Sequence, residues 1–185
     1  MTFVDGTALT ASQLNTHLRD NLMQTMPALA SEASQSFMSN GAGSLVPRLS
    51  GKGTVLTVES LNESQWSDLA TVGPQVTLET GSSVLVFFGA GFSSLTADGA
   101  AGYVSVHISP ASQDADGNTT GNTIEPDDSY ALIYQGRPSD EFCGTHHVTH
   151  FGALSPGQNT FTLKYRSTAG GCSFGRRRIS VMPLD

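Results

Sequence analysis

Along this chain the spacing of apolar positions changes period once, and that change divides it. Between Thr10 and Met26, Leu14, Leu18 and Leu22 recur every fourth residue with Ala11 and Met26 in step, which is one narrow stripe of an α-helix. Thr10 supplies an N-cap, Gln13 completes a capping-box spacing three residues on, and Pro27 stops the helix. The opposite face carries Asn15, Thr16, Arg19, Asp20 and Gln24. A helix this short and this polar buries little alone, so it is expected to lean on the rest of the chain, on a copy of itself or on a larger assembly.

From Thr54 onward apolar residues alternate with polar ones or form strand-length runs bounded by turn residues. The pattern predicts strands at Thr54–Val58, Gln75–Glu79, Ser83–Gly91, Gly102–Ser109, Tyr130–Gln135, Thr145–Ala153, Thr160–Ser167 and Arg177–Met182. Thr80-Gly81-Ser82 and Ser155-Pro156-Gly157 mark turns. With no helical period after Pro27, the expected fold class is mainly β: an antiparallel β-sandwich or jelly roll preceded by a short N-terminal α-helix. Residues 27–53 are rich in Ala, Ser and Gly, with a turn at Ser39 to Ser44, and read as a connector with a possible edge strand. The organisation is therefore 1–26 helical, 27–53 connector and 54–185 β domain. Within the β domain, Val84-Leu85-Val86-Phe87-Phe88 lacks polar alternation, which predicts a strand covered on both faces. In one sandwich of this size the second cover points to a neighbouring subunit, so Val84, Val86, Phe87 and Phe88 are candidate self-association residues.

Composition narrows the class of function. Only 14% of the 185 residues are charged and the net charge is -7, so the chain lacks the clustered cations that nucleic acid or an anionic membrane surface requires. No apolar stretch approaches the roughly 20 residues that cross a bilayer. The start, Met1 to Thr10, has neither a basic region nor an apolar signal core, so Sec-type export is not expected. Cys143 and Cys172 allow one disulfide, closing a loop of about 30 residues, although a reducing compartment of assembly favours two thiols.

Two stretches resemble virion proteins of tailed phages, particularly those of actinobacteria. Asp5-Gly6-Thr7-Ala8-Leu9-Thr10-Ala11-Ser12-Gln13-Leu14-Asn15-Thr16-His17-Leu18-Arg19-Asp20-Asn21-Leu22 is similar to their recurrent opening. Asp68 to Pro74 with Thr80 to Val86, and Leu154 to Gly157 with Arg177 to Leu184, are similar to their β domain. The resemblance implies a C1q- or TNF-like jelly roll assembling as a homotrimer, of the minor tail protein, fibre or head-surface type. It implies a virion location after assembly in the host cytoplasm, with other virion proteins (tail or major capsid protein) as partners. Leu14, Leu18, Arg19 and Leu22 become candidate particle-anchoring residues. No catalytic residue and no cofactor is implied.

His146 and His150 would share one face of a strand while His147 points to the other, giving two candidate transition-metal ligands per chain, or ordinary strand histidines. Asp114, Asp116, Asn118 and Glu125 fall at EF-hand spacing, but position six is Thr119 rather than Gly and no helices flank the loop. A calcium loop and a polar connector both remain open there. Arg176-Arg177-Arg178 would send Arg177 to one face and its neighbours to the other, for pairing with carboxylates such as Glu79, Asp127, Asp128, Asp140 or Glu141. Trp66, Tyr103, Tyr130, Tyr134 and Phe142 could line a platform for a host surface glycan or simply pack. No hydrolase elbow and no phosphate-cradling glycine loop is present, so the expected function is non-enzymatic.

Overall fold

A computed structural model describes residues 10–12, 15, 16, 18, 30–39, 45–96, 99–110, 121–135 and 142–185. In the N-terminal stretch Ala11, Ser12, Asn15, Thr16 and Leu18 are helical, and Leu18 is exposed. Leu14, Arg19 and Leu22 lie outside the described residues. Among the described residues no helix is long and apolar enough to cross a membrane.

The described strands are β1 (Gln35–Ser39), β2 (Leu45–Leu49), β3 (Gly51–Val55), β4 (Glu59–Leu61), β5 (Gln75–Thr80), β6 (Val84–Ser94), β7 (Ala101–Pro110), β8 (Leu132–Gln135), β9 (Cys143–Phe151), β10 (Gly157–Ser167) and β11 (Cys172–Pro183). All their pairings are antiparallel. One sheet runs β5-β10-β7-β8; the other runs β3-β11-β6-β9, with β4 also pairing along β11. Successive strands cross between the sheets, β5 in one, β6 in the other, β7 and β8 back again, β9 across, β10 back and β11 across, which is jelly-roll topology. The mainly β, antiparallel sandwich expected from the sequence is the fold.

Period two explains why these segments pack as they do. Val84, Val86, Phe88 and Phe92 on β6 and Phe174, Ile179 and Val181 on β11 point inward. They meet Val104, Val106 and Ile108 of β7 and Phe161, Leu163 and Tyr165 of β10, all at 0% exposure, so the core lies between the sheets. The connector holds more structure than one edge strand. β1 and β2 pair with each other, Phe37 opposite Pro47, and β3 begins at Gly51 to form the edge beside β11. The strand expected over Thr54–Val58 therefore lies earlier. Its inward positions are Gly51, Gly53 and Val55, and a Cβ on Gly51 would come 2.3 Å from Val76 Cγ1, so close approach to β5 puts residues that emit no hydrophobic signal at the first two. The strand expected from Tyr130 opens instead as a 3-10 turn, Asp128–Tyr130, with the Ser129 amide donating to Asp127 Oδ1 at 2.8 Å; β8 follows it.

Residues 62–74 cross the sandwich without a ladder of their own, and buried polar groups hold them. Ser67 exchanges both backbone bonds with Tyr165 at 2.9 Å, and the Tyr165 hydroxyl donates to Gly73 O at 2.7 Å. The Arg177 side chain is fully buried. Its guanidinium donates to Thr57 Oγ1 at 3.0 Å, Glu59 Oε2 at 3.2 Å and Thr71 O at 3.3 Å, and it stands 5.5 Å from the Tyr165 ring. Partial burial works against the Glu59 carboxylate, but bonds from Thr71 and the Arg177 charge outweigh it and hold its pKa below the ordinary value. The carboxylate that Arg177 finds is thus Glu59, which was not among the expected partners; Asp128 instead pairs with Arg166.

The two cysteines are free thiols, Cys143 exposed and Cys172 buried, with burial raising the Cys172 pKa to about 11. Alkylation of the native protein is therefore expected to modify Cys143, while Cys172 reacts only after unfolding; peptide mass mapping separates the two. Arg177→Ala should lower stability by about 3 kcal/mol, because it leaves Glu59 and the acceptor oxygens of Thr57 and Thr71 without this donor. A carboxyl whose folded pKa is depressed contributes its stability above its unfolded pKa and loses it as pH falls. The melting temperature should accordingly drop as pH passes below about 4.3, and drop less steeply in Glu59→Gln, as thermal unfolding across a pH series would show.

Candidate functional site

The two sheets present very different outer faces. On the four-stranded sheet, the outward side chains satisfy one another. Thr77 and Thr160 share a hydroxyl bond of 2.8 Å, Gln75 Nε2 donates to Thr162 Oγ1 at 3.0 Å, and Lys164 Nζ meets Asp68 at 2.6 Å. Arg166 pairs with Asp128 and lies 3.7 Å from the Tyr103 ring centre and 5.3 Å from that of Trp66. This surface is mostly polar and internally bonded, with Ile133 of β8 as an exposed apolar residue on it.

On the five-stranded sheet the registers assemble rows of another kind. Lys52, Ser180, Phe87 and Val148 lie side by side across β3, β11, β6 and β9. The next row is Met182, Leu85 and His150, and the row on the other side is Thr54, Arg178, Gly89 and His146. Phe87 is 40% and Val148 52% exposed, and Leu85 and Met182 are half-buried. Towards the far end the Phe142 ring lies over Gly91 and Gly175, beside Val58; Phe142 and Val58 are themselves 42% and 58% exposed. Apolar ground thus occupies both ends of the face, and Arg176, Arg178 and His146 lie between. Clusters of this kind on one face mark a surface built for contact.

The expectation for Val84 to Phe88 needs correction. Val84, Val86 and Phe88 are 0%, 0% and 2% exposed, spent in the core of the single chain, and only Phe87 and Leu85 face outward. Alternation operates through the run after all; it is masked because both faces chose apolar residues. His146 and His150 project from the outer face, whereas His147 turns inward and meets the Phe88 ring edge-on at 5.4 Å. Among the described residues no three His, Cys, Asp or Glu side chains gather as metal ligands. Asp114, Asp116 and Asn118, like Asp140 and Glu141, lie outside the described residues. Glu125 is largely exposed, 3.8 Å from His107. Of the aromatics, Tyr134 stacks on the core residue Phe92 at 5.4 Å, and Tyr130 packs edge-on against Phe151 with its hydroxyl bonded to Glu125 O, so neither is free to form a platform. Leu85, Val148 and Met182 carry no sequence signal of their own. Strand register alone sets them beside Phe87.

A groove runs along this face. One cavity of about 210 Å³ is bounded by Phe142, Gly91, Gly144, His146, Arg176 and Arg178. A second, of about 280 Å³, shares His146 and Arg178 and continues past Phe87 and Val148. Arg176 reaches the first because β11 bulges: Arg176 and Arg177 together face Ala90 alone, and Arg176 takes φ 51. The bulge lets Arg177 turn inward to Glu59 while Arg176 and Arg178 point out.

No family model matches the chain, and no curated protein matches its sequence. Among solved structures it is similar to the Eiger TNF of S. frugiperda at 12% identity, covering 76% of this chain and 94% of that one, with a TM-score of 0.42. The infectious bursal disease virus VP2 subviral particle is similar at 9% identity over 80% of this chain and 37% of that one, TM-score 0.45. A carbohydrate-binding module from Cellvibrio mixtus lichenase 5A is similar at 12% identity over 81% and 88%, TM-score 0.29.

Proposed function

We propose that this chain is a non-enzymatic structural component of a phage particle, assembling as a homotrimer through the outer face of the five-stranded sheet. The observation that carries the self-association is the contrast between the two outer faces. One sheet closes its polar side chains on each other, and the other leaves Phe87, Val148, Leu85, Met182, Val58 and Phe142 without cover. Apolar area left in water favours association at roughly 25 cal/mol per Å² removed from it, and no segment among the described residues lies over this patch. The virion part of the reading rests on the resemblance of Leu9 to Leu22 and of the β segments to phage virion proteins. In it, residues 1–26 anchor the chain to the particle through Leu14, Leu18, Arg19 and Leu22, and the β domain stands outward as in a minor tail or fibre protein. Capsid decoration or a head fibre is the other position such an anchor serves. A host-glycan adhesion role would use the groove rather than the Tyr130 and Tyr134 side chains, which are already engaged.

Light scattering of the purified protein is expected to give the mass of a trimer. The double substitution Phe87→Ser with Val148→Ser should give a monomer with an unchanged circular dichroism spectrum. A wild type that stays monomeric at every concentration would overturn the reading. Antibody labelling of intact particles then separates tail from capsid.

A further inference from the structure

Arg176, Arg178 and His146 converge on one cavity to which, among the described residues, no carboxylate contributes. That is unexpected in a chain with 16 acidic residues against 9 lysines and arginines. On the other sheet Arg166 is matched by Asp128 and Lys164 by Asp68, and the buried Arg177 is matched by Glu59. Among the described residues neither Arg176 nor Arg178 has an ion-pair or hydrogen-bond partner.

The backbone is arranged to bring them there. Arg176 sits at φ 51, a region that residues bearing a Cβ rarely occupy and that is retained where surrounding structure enforces it. The floor and one wall are glycine. A Cβ on Gly89 would lie 2.6 Å from the His146 ring and one on Gly91 2.6 Å from the Phe142 ring, so bare backbone lets both rings lean over the strand. Gly144 differs: a Cβ there would meet nothing within 4 Å, because it opens directly into the cavity. The result is a recess with two guanidinium groups on β11, an imidazole facing them from β9 across Gly89, and an exposed aromatic ring over Gly91 and Gly175.

We propose that this recess is an oxyanion-binding site, taking a phosphate, sulfate or carboxylate group between Arg176 and Arg178 with His146 as a further donor. Guanidinium groups present planar forks of N–H donors that fit such anions in pairs. The Phe142 ring fits the anion's carrier to a flat apolar face, which a pyranose ring offers, so the source is either a free inorganic anion or an acidic sugar. The site is built within one chain and does not depend on self-association.

Calorimetric titration tests it with inorganic phosphate, glucuronate and, as neutral control, glucose, at constant ionic strength. It is run on the wild type and on the Phe87→Ser, Val148→Ser protein, so that the recess is open whether or not copies assemble. Saturable binding of phosphate or glucuronate and none of glucose is expected. Arg178→Ala should weaken it by about ten-fold or more. Gly144→Leu should do the same by filling the cavity without touching the core, whereas Lys52→Ala, on the same face but outside the recess, should leave it unchanged. Tighter binding of glucuronate than of phosphate, lost in Phe142→Ala, identifies an acidic sugar; equal binding indifferent to Phe142→Ala identifies a free anion. Absence of saturable binding in both backgrounds, or binding unaltered by Arg178→Ala and Gly144→Leu, overturns the proposal.

Discussion

Strand β11 carries three pairings at once, with β6 along one side and β3 and β4 along the other, and the bulge at Arg176 and Arg177 decides what each of its faces does. A regular strand passing Ala90 would spend one residue there; β11 spends two. The extra residue keeps Phe174 and Ile179 both directed into the core while allowing Arg177 to turn inward and Arg176 and Arg178 to turn out. Burying a guanidinium is costly unless it is paired, and Thr57, Glu59 and Thr71 accept from its two Nη groups, while Nε has no partner among the described residues. Those acceptors sit on β4 and on the segments before and after it, so the same charge that the bulge buries also fastens the irregular path from β3 to β5.

From this constraint follows the division of labour between the sheets. The core is symmetrical in kind, with large apolar side chains from both sheets fully buried. The outer surfaces are not. Hydroxyl and amide side chains on the four-stranded sheet find partners on neighbouring strands, which leaves that surface content in water. The five-stranded sheet pairs its central strand with glycines at 89, 91 and 175, over which Phe142, His146 and Val58 lean. Glycine at these outward positions removes the side chains that would otherwise fill the face, and the groove is what remains.

Shape and charge together suit the groove to two roles. Its apolar ends, around Phe87 and Val148 and around Val58 and Phe142, offer area to another surface, and its middle offers positive charge to an anion. An isolated basic pair on an acidic protein repels neither its own chain nor an anionic ligand at short range, while the net charge of -7 keeps approaching polyanions at a distance. Small anionic groups are therefore better suited to it than nucleic acid.

The sequence by itself determined the fold class, because alternation of apolar and polar residues fixes which side of a strand is buried wherever one side is wet. Gln75 to Glu79, Thr160 to Ser167 and Arg177 to Met182 are legible for that reason, and so is the separation of Arg177 from its neighbours. It could not place β3, whose first two inward residues are glycines, and it misread Val84 to Phe88, where both faces are apolar and the alternation carries no contrast. Only tertiary structure decided what stands beside what. Phe87 meets Val148, Arg178 meets His146 across Gly89, and Arg177 finds Glu59 through pairings between strands far apart in the chain, and no local pattern encodes a register set by packing of the whole sandwich.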